Sequence, residues 1–189
     1  MKIPFLPLSL CAVALAFPAD KHIAARQVTA DNIVNGIERN GNILSQLAAV
    51  QTNADKVTGT LFIAGRLKEV RDGLSPVGQS INALDRALPA GSFSAKDGEK
   101  VRVSLRKLVA ANDKLFSTLI EKATLANVIP SIGSPTLTKA FTDYRDLYKV
   151  FLYRVADLLP PKEKGETIDD AVATERLINS AITNYNGLG

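Results

Sequence analysis

The apolar residues between Leu137 and Leu158 recur at alternating steps of four and three along the chain. They are Leu137, Phe141, Tyr144, Tyr148, Phe151, Val155 and Leu158. This spacing places all of them on one face of an α-helix. Ser134 and Pro135 suit the N-cap and first turn of this helix, and Pro160-Pro161 ends it. Because a long helix cannot bury an aromatic face alone, we expect other helices to pack around it.

Four further segments carry helical spacing, which predicts an all-α fold made of a single bundle of about five amphipathic helices. The segments begin after the N-cap Thr29 and extend to about Gln51, continue from Ile63 to Leu88, begin after the N-cap Ser94 and extend to Ala126, and open at Thr167 and extend to Tyr185. Asn40 and Gly41 interrupt the apolar face of the first segment. The charged residues 162–165 are predicted to form a loop before the last helix.

The second of these segments contains Pro76 within an otherwise regular apolar stripe. A proline inside a helix costs about 3 kcal/mol, because it lacks an N–H group and its ring clashes with the preceding turn. Ser75 and Pro76 also suit the N-cap and first turn of a restarted helix. We therefore expect the second helix to be kinked or broken near Pro76, with its apolar face preserved across that point.

The N-terminus has the features of an export signal. Lys2 precedes an apolar run, residues 3–16, that contains two prolines and is too short to span a bilayer. Ala14-Leu15-Ala16 matches an A-x-A cleavage site, and Ala19 offers a second one. We expect residues 1–16 to be a signal peptide (alternatively 1–19), 17–27 a short polar segment and 28–189 the helical-bundle domain. A buried N-terminal helix is the alternative, which the two prolines disfavour.

The chain has few cysteine and histidine side chains, the kinds that commonly act as nucleophiles or bind zinc. The chain has one cysteine, Cys11, which lies in the expected signal peptide, and one histidine, His22. A mature chain without cysteine has no disulfides, and Cys/His nucleophiles, Ser-His-Asp triads and zinc sites built from histidine or cysteine are nearly excluded. We therefore expect no cofactor and no metal site.

The net charge of +4 is small, although basic residues cluster in the third segment. They are Lys100, Arg102, Arg106, Lys107 and Lys114. Acidic residues alternate with them, so a solvated helix face explains the cluster better than a nucleic-acid interface. We expect no nucleic-acid partner and no transmembrane segment in the mature protein.

Two apolar stripes are candidates for the lining of a ligand site. The candidate lining residues are Leu105, Leu108, Leu115 and Leu119 in the third segment and Phe141, Tyr144, Tyr148 and Phe151 in the aromatic helix. Asn112 falls within the first stripe, either as a core residue bonded to a neighbouring helix or as the polar anchor of a ligand. The rings form a filled core by default, or they leave a slot that suits an acyl chain. Filled and hollow bundles share one binary pattern, so the sequence leaves both open.

These features together resemble the fungal hydrophobic surface-binding protein A family, also called the cell-wall galactomannoprotein family. The resemblance covers about residues 28–186 and includes the export signal, the cysteine-free mature chain, the amphipathic segments and the Ile129-Pro130-x-Ile132-Gly133 connector before the aromatic helix. It implies an all-α bundle of about five helices, secretion and no enzymatic activity. The chain lacks the Ser/Thr-rich extension and anchor tail of wall-attached relatives, so we expect an extracellular or loosely wall-associated protein.

The resemblance implies two alternative functions. Some relatives enclose a fatty acid in an apolar cavity, which favours a hollow bundle here with the two stripes as its lining. Other relatives adsorb to hydrophobic surfaces and recruit a secreted esterase, a function that helices free of disulfides could perform by opening. An enzyme inhibitor is disfavoured, because secreted helical inhibitors usually depend on disulfides.

Overall fold

The computed structural model describes residues 29–58, 63–126 and 135–186. In these ranges the chain forms α-helices and no β-strand, which confirms the all-α prediction. The helices are α1 (Ala30–Glu38), α2 (Ile43–Asp55), α3 (Ile63–Arg86), α4 (Ala95–Ala126), α5 (Pro135–Leu158) and α6 (Pro161–Asn186). The predicted signal peptide, the polar segment 17–27 and the connector 129–133 lie outside the described residues.

Helices α1 and α2 form one interrupted rod that runs alongside α4. Gly41 between them has φ 84°, a left-handed conformation that glycine adopts without strain. The rod and α4 are parallel, because residues later in the rod contact residues later in α4. The contacts are Asp31 with Lys100, Glu38 with Lys107, and Gln51 with Thr118. The sequence predicted one helix whose apolar face is interrupted at Asn40 and Gly41, whereas the chain forms two helices separated at this point. The described bundle therefore consists of five rods.

The rods form a closed ring in the order α1/α2, α3, α5, α6, α4. Rods that follow one another in the sequence are antiparallel. Because directions cannot alternate all the way around a ring of five, at least one pair of neighbouring rods must be parallel. Arg71 contacts Thr136 and Asp85 contacts Arg154, which shows that α3 and α5 are one such pair. Helix axes packed 8–10 Å apart lie roughly 7–8.5 Å from the centre of a ring of five. Long side chains are needed to fill that centre.

The predicted apolar faces are buried in this ring. On α5, Leu137 to Val155 of the predicted stripe are at most 3% exposed, whereas Leu158 is half-buried and Leu159 is buried in its place. The predicted N-caps of two helices are also confirmed. The Asn32 N–H donates to Thr29 Oγ1 at 3.4 Å, and the Asp97 N–H donates to Ser94 Oγ at 3.2 Å.

Of the two outcomes predicted at Pro76, the break does not occur. Helix α3 is continuous through Pro76, which is exposed, and Ser75 lies inside the helix rather than at a new N-cap. Leu74 and Val77 on either side are buried, so the apolar face is preserved as predicted. Burial of this face against α2 and α5 offsets the local cost of the proline.

The predicted start of the last helix is wrong. Helix α6 begins at Pro161, a favourable first-turn position, and the predicted loop 162–165 is helical. Thr167 is buried, and its hydroxyl donates to the Glu163 carbonyl oxygen at 2.7 Å instead of capping the helix. The ion pair of Lys164 with Asp157 at 2.8 Å and the packing of α6 on α4 and α5 outweigh the low helix propensity of Gly165.

Candidate functional site: an aromatic core beside an open groove

Aromatic rings from three helices meet at the centre of the bundle and form what we call the aromatic core. Its members are Phe116 of α4, Phe141, Tyr144 and Tyr148 of α5, and Tyr185 of α6. Phe141 meets Phe116 and Tyr185 edge-on, with ring centroids 5.6 Å apart in each pair. Tyr144 stacks on Phe116 and on Tyr148 at 5.9 Å. These are favourable geometries for aromatic pairs, so the rings pack on one another.

The structure buries the predicted lining residues in the same hydrophobic core as these rings. All are at most 2% exposed: Leu105, Leu108, Leu115, Leu119, Phe141, Tyr144, Tyr148 and Phe151. Helices α4 and α5 are not adjacent in the ring and meet through their side chains. We did not assign Phe116 and Tyr185 to the site, although both lie on apolar faces that were visible in the sequence. The role of these residues as the lining of a lipid site stays a prediction.

Asn112 bridges α4 and α5 inside the core. Its amide nitrogen donates to the Leu108 carbonyl oxygen at 2.9 Å, and its Oδ1 accepts from the Tyr144 hydroxyl at 2.5 Å. Burial raises the pKa of Tyr144, so the hydroxyl keeps its proton and acts as the donor. This is the internally bonded arrangement that the sequence allowed. A role as ligand anchor, which would compete with the Tyr144 bond, stays a prediction.

The Tyr148 hydroxyl is also buried, and although the Thr174 hydroxyl lies near it, it forms no hydrogen bond of normal geometry among the described residues. Burial raises the pKa of Tyr148 well above its usual range, so the group is neutral. On the neighbouring helices the Thr174 hydroxyl donates to Asp113 Oδ1 at 3.0 Å. Burial also raises the pKa of Asp113. An unpaired buried hydroxyl costs about 1–3 kcal/mol, so this part of the core is less well satisfied than the Asn112 side.

A recess that we call the α3–α5 groove opens between these parallel helices and reaches the aromatic core at Tyr144. Its volume is about 220 Å³. The lining residues are Arg71, Leu74, Ser75, Gly78, Gln79 and Asn82 on α3 and Ala140, Asp143, Tyr144 and Leu147 on α5. Gly78 makes room for Leu147, because a Cβ atom at Gly78 would lie 3.1 Å from Leu147 Cδ1. The sequence did not indicate this groove.

Arg71 is the positively charged residue that lines the groove. Its Nε and Nη2 lie 2.8 and 2.6 Å from Asp72 Oδ1, and its Nη1 lies 3.5 Å from Thr136 Oγ1. The acidic residue of the groove, Asp143, is paired with Lys139 Nζ at 2.7 Å. The groove therefore combines an apolar middle with a partly exposed guanidinium at the end near the start of α5.

Four residues of the basic cluster on α4 form ion pairs with acids of α1 and α6. Arg102 lies 2.6 Å from Asp170 and 3.4 Å from Glu166, and its side chain is only 6% exposed. Arg106 contacts the same Glu166. We expected Arg102 on a solvated face, and that prediction is wrong, because the acids of α6 compensate its charge and allow its burial. Lys100 and Lys107 pair with acids of α1, as described above.

Two further features of the described ranges bear on function. Among the described residues, no group of three or more His, Cys, Asp or Glu side chains is placed to hold a metal ion. None of the helices described here has a stretch sufficiently long and apolar to cross a membrane.

The fold and site define an all-α helical bundle whose aromatic core is flanked by an open apolar groove. The chain is similar in structure to a protein named Afmp4p, solved as a crystal structure in complex with palmitic acid. The TM-score is 0.62 at 14% sequence identity, and the match covers 82% of this chain and 99% of that chain. At this identity the likeness shows the fold alone. No protein-family model matches the sequence, and no curated protein matches it.

Proposed function

We propose that this protein is a non-enzymatic lipid-binding protein that takes up one long-chain fatty acid between its helices. The α3–α5 groove carries the proposal, because it is apolar in its middle, open to solvent and continuous with the buried ring of Tyr144. Recesses of this kind, with a few polar groups at defined places, are the usual form of small-molecule sites. Palmitic acid in the similar Afmp4p bundle supports a fatty acid as the ligand class.

The groove is too small to take up a fatty acid unless side chains move. Its 220 Å³ is below the roughly 300–1,000 Å³ of typical ligand pockets. An acyl chain that enters must therefore displace residues of the groove or of the adjoining core. Of the predicted lining residues, Tyr144 lies at the groove and would contact the chain directly, whereas the others lie in the adjoining core. The sequence has no cysteine beyond Cys11, so no disulfide restrains the helices of the described bundle.

The alternative function is adsorption to hydrophobic surfaces with recruitment of a secreted esterase. Leu147 and Val150 support it, since both are exposed on α5, at 36% and 51%. They would form the first contact with a wax or polymer surface, and opening of the bundle would extend it. Both functions accord with the proposed localisation of the protein, which is extracellular or loosely associated with a cell wall.

The experiment is to extract lipid from the purified protein, identify it by mass spectrometry, and titrate the delipidated protein with palmitic acid. We expect a copurified fatty acid and saturable binding of one palmitic acid per chain. Octanoic acid should bind far more weakly, because each buried methylene contributes about 0.8 kcal/mol. The absence of both copurified lipid and saturable binding would overturn the proposal. Adsorption of the delipidated protein to hydrophobic particles would then favour the alternative.

A further inference from the structure

Arg71 has hydrogen-bonding capacity that the described residues around it do not use. Its contacts to Asp72 and Thr136 involve one N–H group on each guanidinium nitrogen. A guanidinium has five N–H donors, so Nη1 and Nη2 each keep a second one. The side chain is 32% exposed and lines the groove, which makes these donors accessible to an acceptor that lies there.

The charges around Arg71 favour an anion at this end of the groove. Thr136 lies in the first turn of α5, so the partial positive charge of that helix terminus adds to the guanidinium. Asp72 already accepts from Arg71, and the Asp143 charge is engaged by Lys139. A carboxylate matches the planar, forked geometry of arginine and can accept two N–H groups from it.

The rest of the groove suits an alkyl chain. From Arg71 to Asn82 it follows α3 for about 16 Å at 1.5 Å per residue. Gly78 leaves the middle of this path free of α3 side chains, and Leu147 lies over it. Because Leu147 is 36% exposed, it can rotate toward solvent without disrupting the core.

We infer that Arg71 binds the carboxylate of the fatty acid and that the acyl chain lies along the α3–α5 groove across Gly78. This inference rests on the proposed function and adds to it the orientation of the ligand and the residue that selects an acid over a neutral lipid. The carboxylate remains at the rim of the bundle, and the chain contacts Leu74 and the edge of Tyr144 in the space that Leu147 leaves when it rotates away from Gly78.

The first test compares palmitic acid with its neutral methyl ester on delipidated protein. Arg71→Gln should weaken palmitic acid binding about 10-fold or more, since a hydrogen bond to a charged group is lost, and leave ester binding within about 2-fold. Arg66→Gln is the matched control, because Arg66 lies on the same helix outside the groove and pairs with Glu69. It should change neither affinity.

The second test blocks the path of the acyl chain. Gly78→Leu places a side chain in the groove and should weaken both ligands at least about 10-fold. Gly65→Leu adds the same side chain at a position of α3 with no neighbour within 4 Å, and it should have no effect on binding. Circular dichroism establishes that each variant is folded, and the Arg71 comparison remains decisive if Gly78→Leu is not.

The outcomes separate the two proposals. Wild-type binding of palmitic acid with no effect of Arg71→Gln, or equal loss of acid and ester in that variant, overturns the Arg71 assignment and leaves the proposed function in place. Normal binding by folded Gly78→Leu overturns the groove as the path of the chain. Failure of the wild type to bind either ligand overturns both.

Discussion

The Tyr144 hydroxyl donates a hydrogen bond of 2.5 Å to Asn112 Oδ1 across the centre of the bundle. Both side chains are buried, and the Asn112 amide nitrogen donates in turn to the Leu108 carbonyl oxygen. The bond joins α4 to α5, which are not neighbours in the ring of helices. A satisfied polar pair inside an apolar core favours one register of two helices, because any shift would leave both groups unpaired.

The two stacked tyrosines should therefore respond differently to loss of their hydroxyls. Tyr144→Phe leaves Asn112 Oδ1 buried without a donor and should lower the free energy of unfolding by about 1–3 kcal/mol. Tyr148→Phe removes a hydroxyl that forms no hydrogen bond of normal geometry among the described residues, and should be neutral or stabilising. Urea unfolding of the delipidated proteins measures both changes.

A second substitution controls for simple loss of packing. Asn112→Leu added to Tyr144→Phe removes the orphaned acceptor and should recover part of the lost stability. Equal losses in Tyr144→Phe and Tyr148→Phe would contradict the assigned hydrogen bond.

The sequence was sufficient for the features that depend on one helix at a time. The structure confirms the all-α class, the N-caps Thr29 and Ser94, and most of the apolar stripes of α3 and α5. Spacing defines the angle of a residue around its own helix, and Asn112 was placed in the core on that basis. Spacing does not define which helix faces it, so its bond to Tyr144 could not be predicted.

Features that need two helices were the ones we missed. The α3–α5 groove exists because Gly78 and Leu147 meet across parallel helices, and neither residue is unusual in its own segment. Arg102 is buried because Asp170 and Glu166 reach it from α6. The start of α6 was misjudged because Thr167 and Gly165 carry local signals for a boundary, and tertiary packing overrides such signals.

Gly98 should be far less tolerant of a side chain than Gly65. A Cβ atom at Gly98 would lie 2.5 Å from Pro160 Cδ and 3.0 Å from its Cγ, and the rigid proline ring cannot yield without moving the α5–α6 connection. Gly98→Ala should therefore destabilise the protein by about 1–2 kcal/mol, even after the gain in helix propensity. Gly65→Ala, which meets no atom within 4 Å, should stabilise it by about 0.5–1 kcal/mol. Thermal unfolding compares the two, and a stabilised Gly98→Ala would show that α4 does not pack on Pro160.

Glu166 should contribute to acid sensitivity. Its hydrogen bond to Arg106 and then its contact with Arg102 hold the pKa of this carboxyl below its usual 4.5. Because the folded-state pKa is the lower one, the stabilisation is present above about pH 4.5 and is lost as the pH falls through the folded-state value. Wild type should be more stable than Glu166→Gln at neutral pH, and the difference should vanish in acid. Asp169→Asn, at an exposed position of the same helix, controls for the loss of one charge, and a difference that persists in acid would refute the assignment.

The N-terminus should be processed when the full chain is expressed through a secretory pathway. Cleavage after Ala16 gives a mature chain that begins at Phe17, and cleavage after Ala19 gives one that begins at Asp20. Either product lacks Cys11 and should contain no disulfide. Intact-mass analysis of protein from the medium reads out the cleavage site, and secreted protein that retains residues 1–16 would contradict the signal-peptide prediction.

Substitutions of Phe141 and Leu147 distinguish a ligand site in the packed core from one in the α3–α5 groove. Phe141 is fully buried and meets two rings edge-on, so Phe141→Ala should lower the free energy of unfolding by about 3–5 kcal/mol. Leu147→Ala removes a partly exposed side chain, should cost about 1 kcal/mol, and should tighten palmitic acid binding because Leu147 no longer has to be displaced from Gly78. Denaturant unfolding beside palmitic acid titration gives both quantities for each variant. Near-native stability of Phe141→Ala with loss of affinity would instead assign the acyl chain to a hollow lined by the aromatic stripe, and an unchanged affinity of Leu147→Ala would argue against uptake through the groove.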